Sequence, residues 1–329
     1  LTSQIDENDD MTCLIFNEYE AYAQAIGEAS LTMRLTALEQ AKWTLQQAIA
    51  GTVRLQKGFE GGGTIAEGET IHDGWVFYSQ FPSGQTNGET TTSDDIFVAP
   101  PKSEFCLTCH PLHEWLTISI PTSLLFSTEQ ELAFAASARP QLLKPPSQVT
   151  HHFTSLVHRF LATAESKPQM LGFEMAVQSF QQELLAATKE LFIRNRNTTP
   201  RAFNRWRHQV KLAEEVALTH PGLSLSIEEL ALQNGVHERT LRRAFQRYYG
   251  LSPIEYLRVG RLHQARRLLT VGCPDRITVT KIAFELGFWD LGRFAGAYRQ
   301  LFGELPSQTL RTPVRATKID LVCQKISAS

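Results

Sequence analysis

The sequence predicts an α+β protein of two parts. The N-terminal part is β-rich, barrel-like or sandwich-like with added helices; the C-terminal part is all-α and built as a tandem helix-turn-helix. Three observations carry this. One pattern is written twice: Ser226, Leu230, Ala231, Gly235, Leu241, Phe245, Gly250 and Pro253 recur as Thr278, Ile282, Ala283, Gly287, Phe294, Tyr298, Gly303 and Pro306, at an offset of 52 residues to the first glycine and 53 beyond it. Between about residues 29 and 120, short alternating runs are broken by Gly and Pro. The charge is also divided: residues 201–318 hold 19 Lys and Arg against 10 Asp and Glu, a net of +9, whereas residues 1–200 hold 12 against 23, a net of −11.

In chain order, residues 18–27 read as a short helix, followed by strand-like runs at Leu31–Leu38, Trp43–Ala50, Thr52–Lys57, Trp75–Phe81, Ile96–Ala99, Phe105–Thr108 and Trp115–Ile120. The clusters Gly61, Gly62, Gly63 and Gly84, Gly88 read as breaks between them. Many short strands without intervening helices imply a barrel or a sandwich. A barrel mouth suits a small molecule, and Trp43, Trp75, Phe77, Tyr78, Phe81 and Trp115 are the candidate liners, with plain core as the alternative for each.

From about Ser127 the pattern turns helical. Phe173, Ala176, Val177, Phe180, Leu184, Thr188 and Leu191 recur at helical spacing and, with 148–164, predict a helical pair that either packs on the sheet or forms a dimer seam. The polar stretch from Arg194 to Pro200 reads as a linker. The expected division is a β-rich domain over 1–193, a linker over 194–204, a helix-turn-helix domain over 205–318 opening on a helix at about 204–219, and a tail over 319–329.

Each copy of the repeat encodes two short helices and a tight turn. Ser226 and Glu229 are spaced as a capping box, Gly235 supplies the left-handed residue at the helix end, and a second helix from about Glu238 to Tyr249 buries Leu241 and Phe245. Pro253 opens a joining helix to about Thr270. Such a second helix enters the major groove of DNA. Its outward face here is Arg239, Arg242, Arg243 and Gln246, residues that read guanine and adenine edges or clamp phosphate; a solvated face is the plain alternative. In the second copy Thr278 is the cap, and the second helix, about Asp290 to Leu301, turns outward Leu291, Gly292, Arg293, Ala295 and Gly296. Trp289, Asp290, Arg293 and Arg299 are its candidate DNA residues. Copy one is expected to supply most direct readout, and copy two backbone anchoring and apolar contacts to thymine methyls.

The five cysteines, Cys13, Cys106, Cys109, Cys273 and Cys323, are odd in number and unevenly spaced, unlike a disulfide framework. Cys106-Leu-Thr-Cys109-His110 matches a haem-attachment string, and with His113 it offers four soft ligands. Residues three apart on a strand face opposite sides, so ordinary strand residues are the preferred reading; no cofactor and no metal site are expected. No P-loop, nucleophile elbow or acid/base cluster appears, and no enzyme is expected. No apolar run approaches 18 residues and the first residues are acidic and polar, so the expectation is a cytoplasmic protein with no membrane partner.

Over about 205–312 these residues resemble the AraC/XylS family of bacterial transcription regulators. The resemblance rests on Ile227–Gly235, on Arg261-Leu262, Ala265 and Leu268, and on Ile282-Ala283, Gly287-Phe288, Phe294, Tyr298, Phe302-Gly303, Pro306 and Arg311. Trp289, Leu291 and Gly292 depart from the usual polar residues there and look like the branch containing the ethanolamine-utilisation operon regulator; His237 stands where a capping Ser is usual. The resemblance implies a single chain placing two recognition helices in successive major grooves of double-stranded DNA, most often as an activator acting with RNA polymerase. It also implies a small-molecule effector at the N-terminal domain and, in some members, a homodimer. The rivals are a non-specific architectural DNA-bending protein, a DNA-repair sensor, and a haem or metal sensor using Cys106, Cys109, His110 and His113.

Overall fold

The computed structural model describes residues 11–27, 29–70, 74–195, 204–219, 226–273 and 276–312. The chain divides into two compact units, Leu1–Val210 with Arg243–Gly250, and Lys211–Arg242 with Leu251–Ser329.

The first unit is β-rich and holds one antiparallel ten-stranded sheet. Its strands are β1 (Met11–Phe16), β2 (Ala29–Ala50), β3 (Val53–Thr70), β4 (Gly74–Phe81), β5 (Gly84–Thr86), β6 (Glu89–Thr91), β7 (Ile96–Ala99), β8 (Glu104–Cys109), β9 (His113–Pro121) and β10 (Gln141–Leu143). The order is β10-β7-β4-β9-β3-β8-β5-β6, with β2 also on β3 and β1 on β2. The long β3 takes two partners in succession on one side, β9 over Arg54–Glu60 and β8 over Thr64–Glu69.

Two expected boundaries move. The runs Leu31–Leu38 and Trp43–Ala50 are one strand, β2, whose register slips between Leu38 and Trp43. Gly61, Gly62 and Gly63 are not a break but the middle of β3, facing that irregularity. A Cβ on Gly61 would lie 2.0 Å from the Gln40 carbonyl oxygen, and one on Gly62 2.7 Å from that of Ala37. The glycines are there because β2 bulges onto them, a use of glycine that looks like a turn in sequence. Strands β1, β5, β6 and β10 lay outside the sequence expectation; the last three are three residues each, too short to show a period.

The helix expected over 18–27 is α1 (Tyr19–Ala25), which turns Tyr19 and Tyr22 inward. After β9 come α2 (Thr122–Leu125) and α3 (Glu129–Ser137), the latter opened by a Thr128–Glu131 capping box. The helical pair is α4 (Ser147–Ser166) and α5 (Glu174–Ile193). Strand alternation sends Leu55, Trp75, Phe77, Leu116, Ile118 and Ile120 to one sheet face, where they form one core with Phe153, Val157, Phe160, Phe180, Leu184 and Leu191 of the pair. Phe160 stacks on Phe180 at 3.9 Å, and Phe77 meets Phe153 at 5.9 Å. The pair therefore packs on the sheet. Phe173, expected on the buried stripe, is the residue before α5 and is 64% exposed.

The remaining helices are α6 (Asn204–Thr219), α7 (Ile227–Gln233), α8 (Glu238–Tyr249), α9 (Pro253–Val271), α10 (Val279–Glu285), α11 (Leu291–Phe302) and α12 (Pro306–Arg311). The long α9 packs with α10 and α12, and α11 with α10 and α12. Pro253 and Pro306 sit at the first turns of α9 and α12, where a missing N–H costs nothing. Most of the expected linker over 194–204, the expected tail over 319–329 and Cys323 lie outside the described residues.

Candidate functional site

The sheet face opposite the helical core is buried and polar. Gln56, Glu60, Thr64, Gln80, Thr91 and His113 are each 5% exposed or less. Glu60 is the hub. Its Oε1 accepts from Tyr22 Oη at 3.3 Å and from Trp115 Nε1 at 3.0 Å; its Oε2 accepts from Thr64 Oγ1 at 2.7 Å and faces His113 Nε2 at 3.6 Å. His113 Nδ1 is held by the His110 carbonyl at 2.8 Å. Burial alone would lower the His113 imidazole; the Cys109 sulfur, the Glu60 carboxylate and the His110 carbonyl outweigh it and push it from 6.5 up to about 9. Beside this group, Gln80 Oε1 accepts from Tyr78 Oη at 2.9 Å and from Cys109 Sγ at 3.1 Å, and Gln80 Nε2 donates to Thr91 Oγ1 at 2.6 Å.

Of the six aromatic candidates Phe81 is 65% exposed, and the other five separate by strand parity. Tyr78 and Trp115 join the polar network, and Trp43 stands opposite Glu60 in register. Trp75 and Phe77 are core residues instead: one position out of phase with Tyr78, they pack on Phe126, Phe153 and Phe192. Sequence reasoning missed Glu60, Tyr22 and Gln80, because a buried carboxylate on a glycine-rich strand carries no local signal. The cysteine string is also split by parity. Cys106 takes the Asn87 side chain on its backbone N–H, while Cys109 faces Tyr78 and Gln80 on the polar face. Among the described residues no group of three His, Cys, Asp or Glu is placed to hold a metal ion, and none of the four described cysteines is in a disulfide.

The repeat is visible as two matching turns. Ser226 accepts from Glu229 N while the Glu229 side chain accepts from Ser226 N; Thr278 accepts from Lys281 N, a cap without the reciprocal acid. At the end of α7, Val236 N donates to Ala231 O and Gly235 N to Leu232 O; at the end of α10, Phe288 N donates to Ala283 O and Gly287 N to Phe284 O. Both are the same six-residue closure, with Gly235 at φ +63° and Gly287 at φ +76°. The second helices then start at different distances: α8 three residues after its glycine, α11 four. That extra residue is the step from 52 to 53. The matched apolar positions, Leu230, Ala231, Leu241 and Phe245 in one copy and Ile282, Ala283, Phe294 and Tyr298 in the other, are all 3% exposed or less.

Residues 230–312 match the family model described as a helix-turn-helix domain. The chain is similar to the probable thc operon regulatory protein of Rhodococcus erythropolis, 39% identical over 103 residues, covering 31% of each protein. It is similar to the XylDLEGF operon transcriptional activator 2 of Pseudomonas putida, 39% identical over 87 residues, 26% of this chain and 55% of that one. Among solved structures, a probable AraC family transcriptional regulator from Rhodopseudomonas palustris is 40% identical, covering 32% of this chain and 95% of that one at a TM-score of 0.29. Residues 230–312 form a helix-turn-helix domain. The aligned stretch spans about a third to about a half of these curated relatives.

In the helix-turn-helix domain the outward side chains of α8 are not equally engaged. Arg239, Arg242, Arg243 and Gln246 are all exposed. Arg242 Nε donates to Glu238 Oε1 at 2.7 Å, Arg243 lies 5.7 Å from the Trp206 ring centroid, and Gln246 Nε2 donates to the Gly250 carbonyl. Among the described residues Arg239 has no ion-pair or ring partner, and with His237, Glu238, Thr240 and Arg242 it lines an open depression of about 650 Å³. On α11, Arg293 is 90% exposed along its side chain, Arg299 is exposed, and Trp289 is 73% exposed against Phe284. Asp290 is the cap: Oδ1 accepts from Arg293 N at 2.9 Å and Oδ2 faces Arg293 Nε at 3.3 Å. Asp290→Ala should destabilise this domain by about 1 kcal/mol, with Asp290→Ser recovering most of it, as read by thermal unfolding. Equal melting of all three proteins would remove the cap from the account.

Proposed function

We propose that this chain is a sequence-specific DNA-binding transcription regulator whose β-rich region receives a small-molecule effector. The observation that carries it is the pair of matching helix-turn-helix halves, one with a guanidinium-rich outer face. The operon-regulator names of its relatives support the same reading, and neither they nor the site suggest enzymatic chemistry. Activation, contact with RNA polymerase, cytoplasmic location with the DNA, and a homodimeric form in some states belong to this proposal, as does the division into 1–193, 194–204, 205–318 and 319–329. The likeness of Trp289, Leu291 and Gly292 to the ethanolamine-operon branch is kept as a likeness and names no effector.

Arg239 and Arg242 are taken as base or phosphate contacts of α8, with Arg243 and Gln246 behind them. Trp289, Arg293 and Arg299 anchor the second half, and Asp290 positions Arg293. Footprinting of the upstream region followed by a competition shift assay tests the whole reading: cognate DNA should compete at least 100-fold better than random DNA. Equal competition would instead mark an architectural DNA-bending protein. Arg239→Ala and Arg242→Ala should each weaken promoter binding by about 1–3 kcal/mol. Glu238→Ala should tighten it a few-fold, because it releases Arg242 and removes a carboxylate from a surface that meets phosphate. Unchanged affinity in both arginine variants would reject the contact assignment.

A further inference from the structure

We infer that Arg258 and Arg261, on the joining helix α9, form a clamp for a phosphate of the DNA backbone beside the second helix-turn-helix half. The inference rests on the DNA-binding reading and adds to it a contact that neither recognition helix makes.

Helical spacing puts the two arginines on one side of α9, three residues apart. Arg258 is exposed and Arg261 is half-buried. The Arg261 guanidinium carbon lies 5.3 Å from the Phe288 ring centroid. Phe288 is the residue whose N–H closes the turn after Gly287, and it stands two positions before Asp290, the cap of α11. Arg261 is therefore held against the turn that aims the second recognition helix.

Another arginine of α9 shows what Arg261 lacks. Arg266 also lies over a ring, 4.8 Å from the Phe302 centroid, and its Nη1 donates to Glu304 Oε1 at 2.6 Å. Arg261 has the ring without the carboxylate. Its Nε is buried with no hydrogen-bond partner, and among the described residues it makes no ion pair. Arg258 makes none there either: Glu255, which feels its charge, has its carboxylate on the Ser252 N–H at 2.9 Å. Burial, and after it the charge of Arg258, push the Arg261 guanidinium below the usual arginine range.

A ring takes up the face of a guanidinium and leaves its in-plane N–H donors unused. Two like charges side by side, one with a buried donor to spare, fit an anion with several oxygens that accepts from both. Position decides which anion. The recognition helix of a helix-turn-helix lies in the major groove, and groups beside its start meet the phosphates along the groove's edge. Residues 201–318 carry 19 Lys and Arg against 10 Asp and Glu, a field that draws a polyanion.

The full-length protein and its Arg258→Ala, Arg261→Ala and Arg261→Lys variants, titrated with the footprinted duplex and with random duplex DNA from about 50 to 200 mM salt, test this. Each alanine variant should flatten the plot of log affinity against log salt by about one, the mark of one lost phosphate contact. Affinity should fall by up to about tenfold and equally on the two DNAs, leaving the cognate-to-random ratio unchanged. Arg261→Lys keeps the charge and loses the flat stack, so it should restore the slope but only part of the affinity. An arginine that merely packs on Phe288 would lower the melting temperature of the alanine variant and leave the slope where it was. Arg258→Ala, at an exposed position, carries the test if Arg261→Ala does not fold. An unchanged slope in either well-folded alanine variant overturns the clamp, and so does a loss confined to the footprinted DNA, which would make these base contacts. A parent protein that binds neither duplex removes the DNA reading itself, which is a different result.

Discussion

Glu60→Ala is expected to cost about 3–5 kcal/mol of unfolding free energy, the largest effect foreseen in the β-rich unit. The substitution leaves His113 as a buried imidazolium without its counter-charge. It also withdraws the acceptor from Thr64 Oγ1 and from Trp115 Nε1, which keeps only its 2.7 Å bond to Tyr22 Oη. Glu60→Gln retains an acceptor and should recover part of the loss. Urea unfolding followed by tryptophan fluorescence measures both, since Trp115 reports from inside the network. A cost below about 1 kcal/mol would mean that the carboxylate is not coupled to His113.

His113, raised by the Cys109 sulfur and then by Glu60, also sets a pH dependence. The folded-state value of His113, about 9, lies above its ordinary 6.5, so this stabilisation is complete below about pH 6.5 and is lost as pH rises through about 9. The difference across that window should be on the order of 3 kcal/mol. Tyr22 and Tyr78 are pushed well above 10, chiefly by burial, so their own loss begins only at more alkaline pH. Stability profiles of the parent and of His113→Gln between pH 6 and 9 should converge toward the alkaline end. Parallel profiles would contradict the raised value.

Phe294→Ala is the second large effect, at about 3–5 kcal/mol, with loss of promoter binding as its consequence. Phe294 is 1% exposed and sits in a run of rings, 4.8 Å from Phe288 and 5.8 Å from Tyr298. Phe288 is the residue that closes the turn after Gly287, so an emptied Phe294 site loosens the turn and the helix together. Phe294→Leu should cost far less. Calorimetry on the intact protein, beside a shift assay, separates lost folding from lost contact. Full promoter binding by a well-folded Phe294→Ala protein would show that the second half contributes little to recognition.

The C-terminal architecture was legible because each of its signals is local: a cap, an apolar pair four apart, a left-handed glycine, a proline at the next first turn. Ser226, Gly235, Leu241, Phe245 and Pro253 each act within a few residues of their own position. The helical pair was legible for the same reason, except at Phe173, where the stripe was extended one turn too far. The β-rich region was legible as β but not as a sheet. Gly61–Gly63 reads as a turn until the opposing carbonyls of Gln40 and Ala37 are in place. The polar network was hidden because its members come from five strands and a helix, brought together only by strand pairing. Strand parity was the one tool that reached it, by separating Cys106 from Cys109 in advance; applied to Trp75, Phe77 and Tyr78 it would have sorted the aromatic residues as well.

The single extra residue in the second turn has a consequence for the target. Because α8 and α11 follow turns of different length and carry different outer side chains, no base sequence suits both equally. On the proposed DNA-binding reading the site has a direction: reversing it end for end presents each helix with bases meant for the other. Under that proposal a promoter carrying the inverted site is a different promoter, even though it contains every base pair of the original.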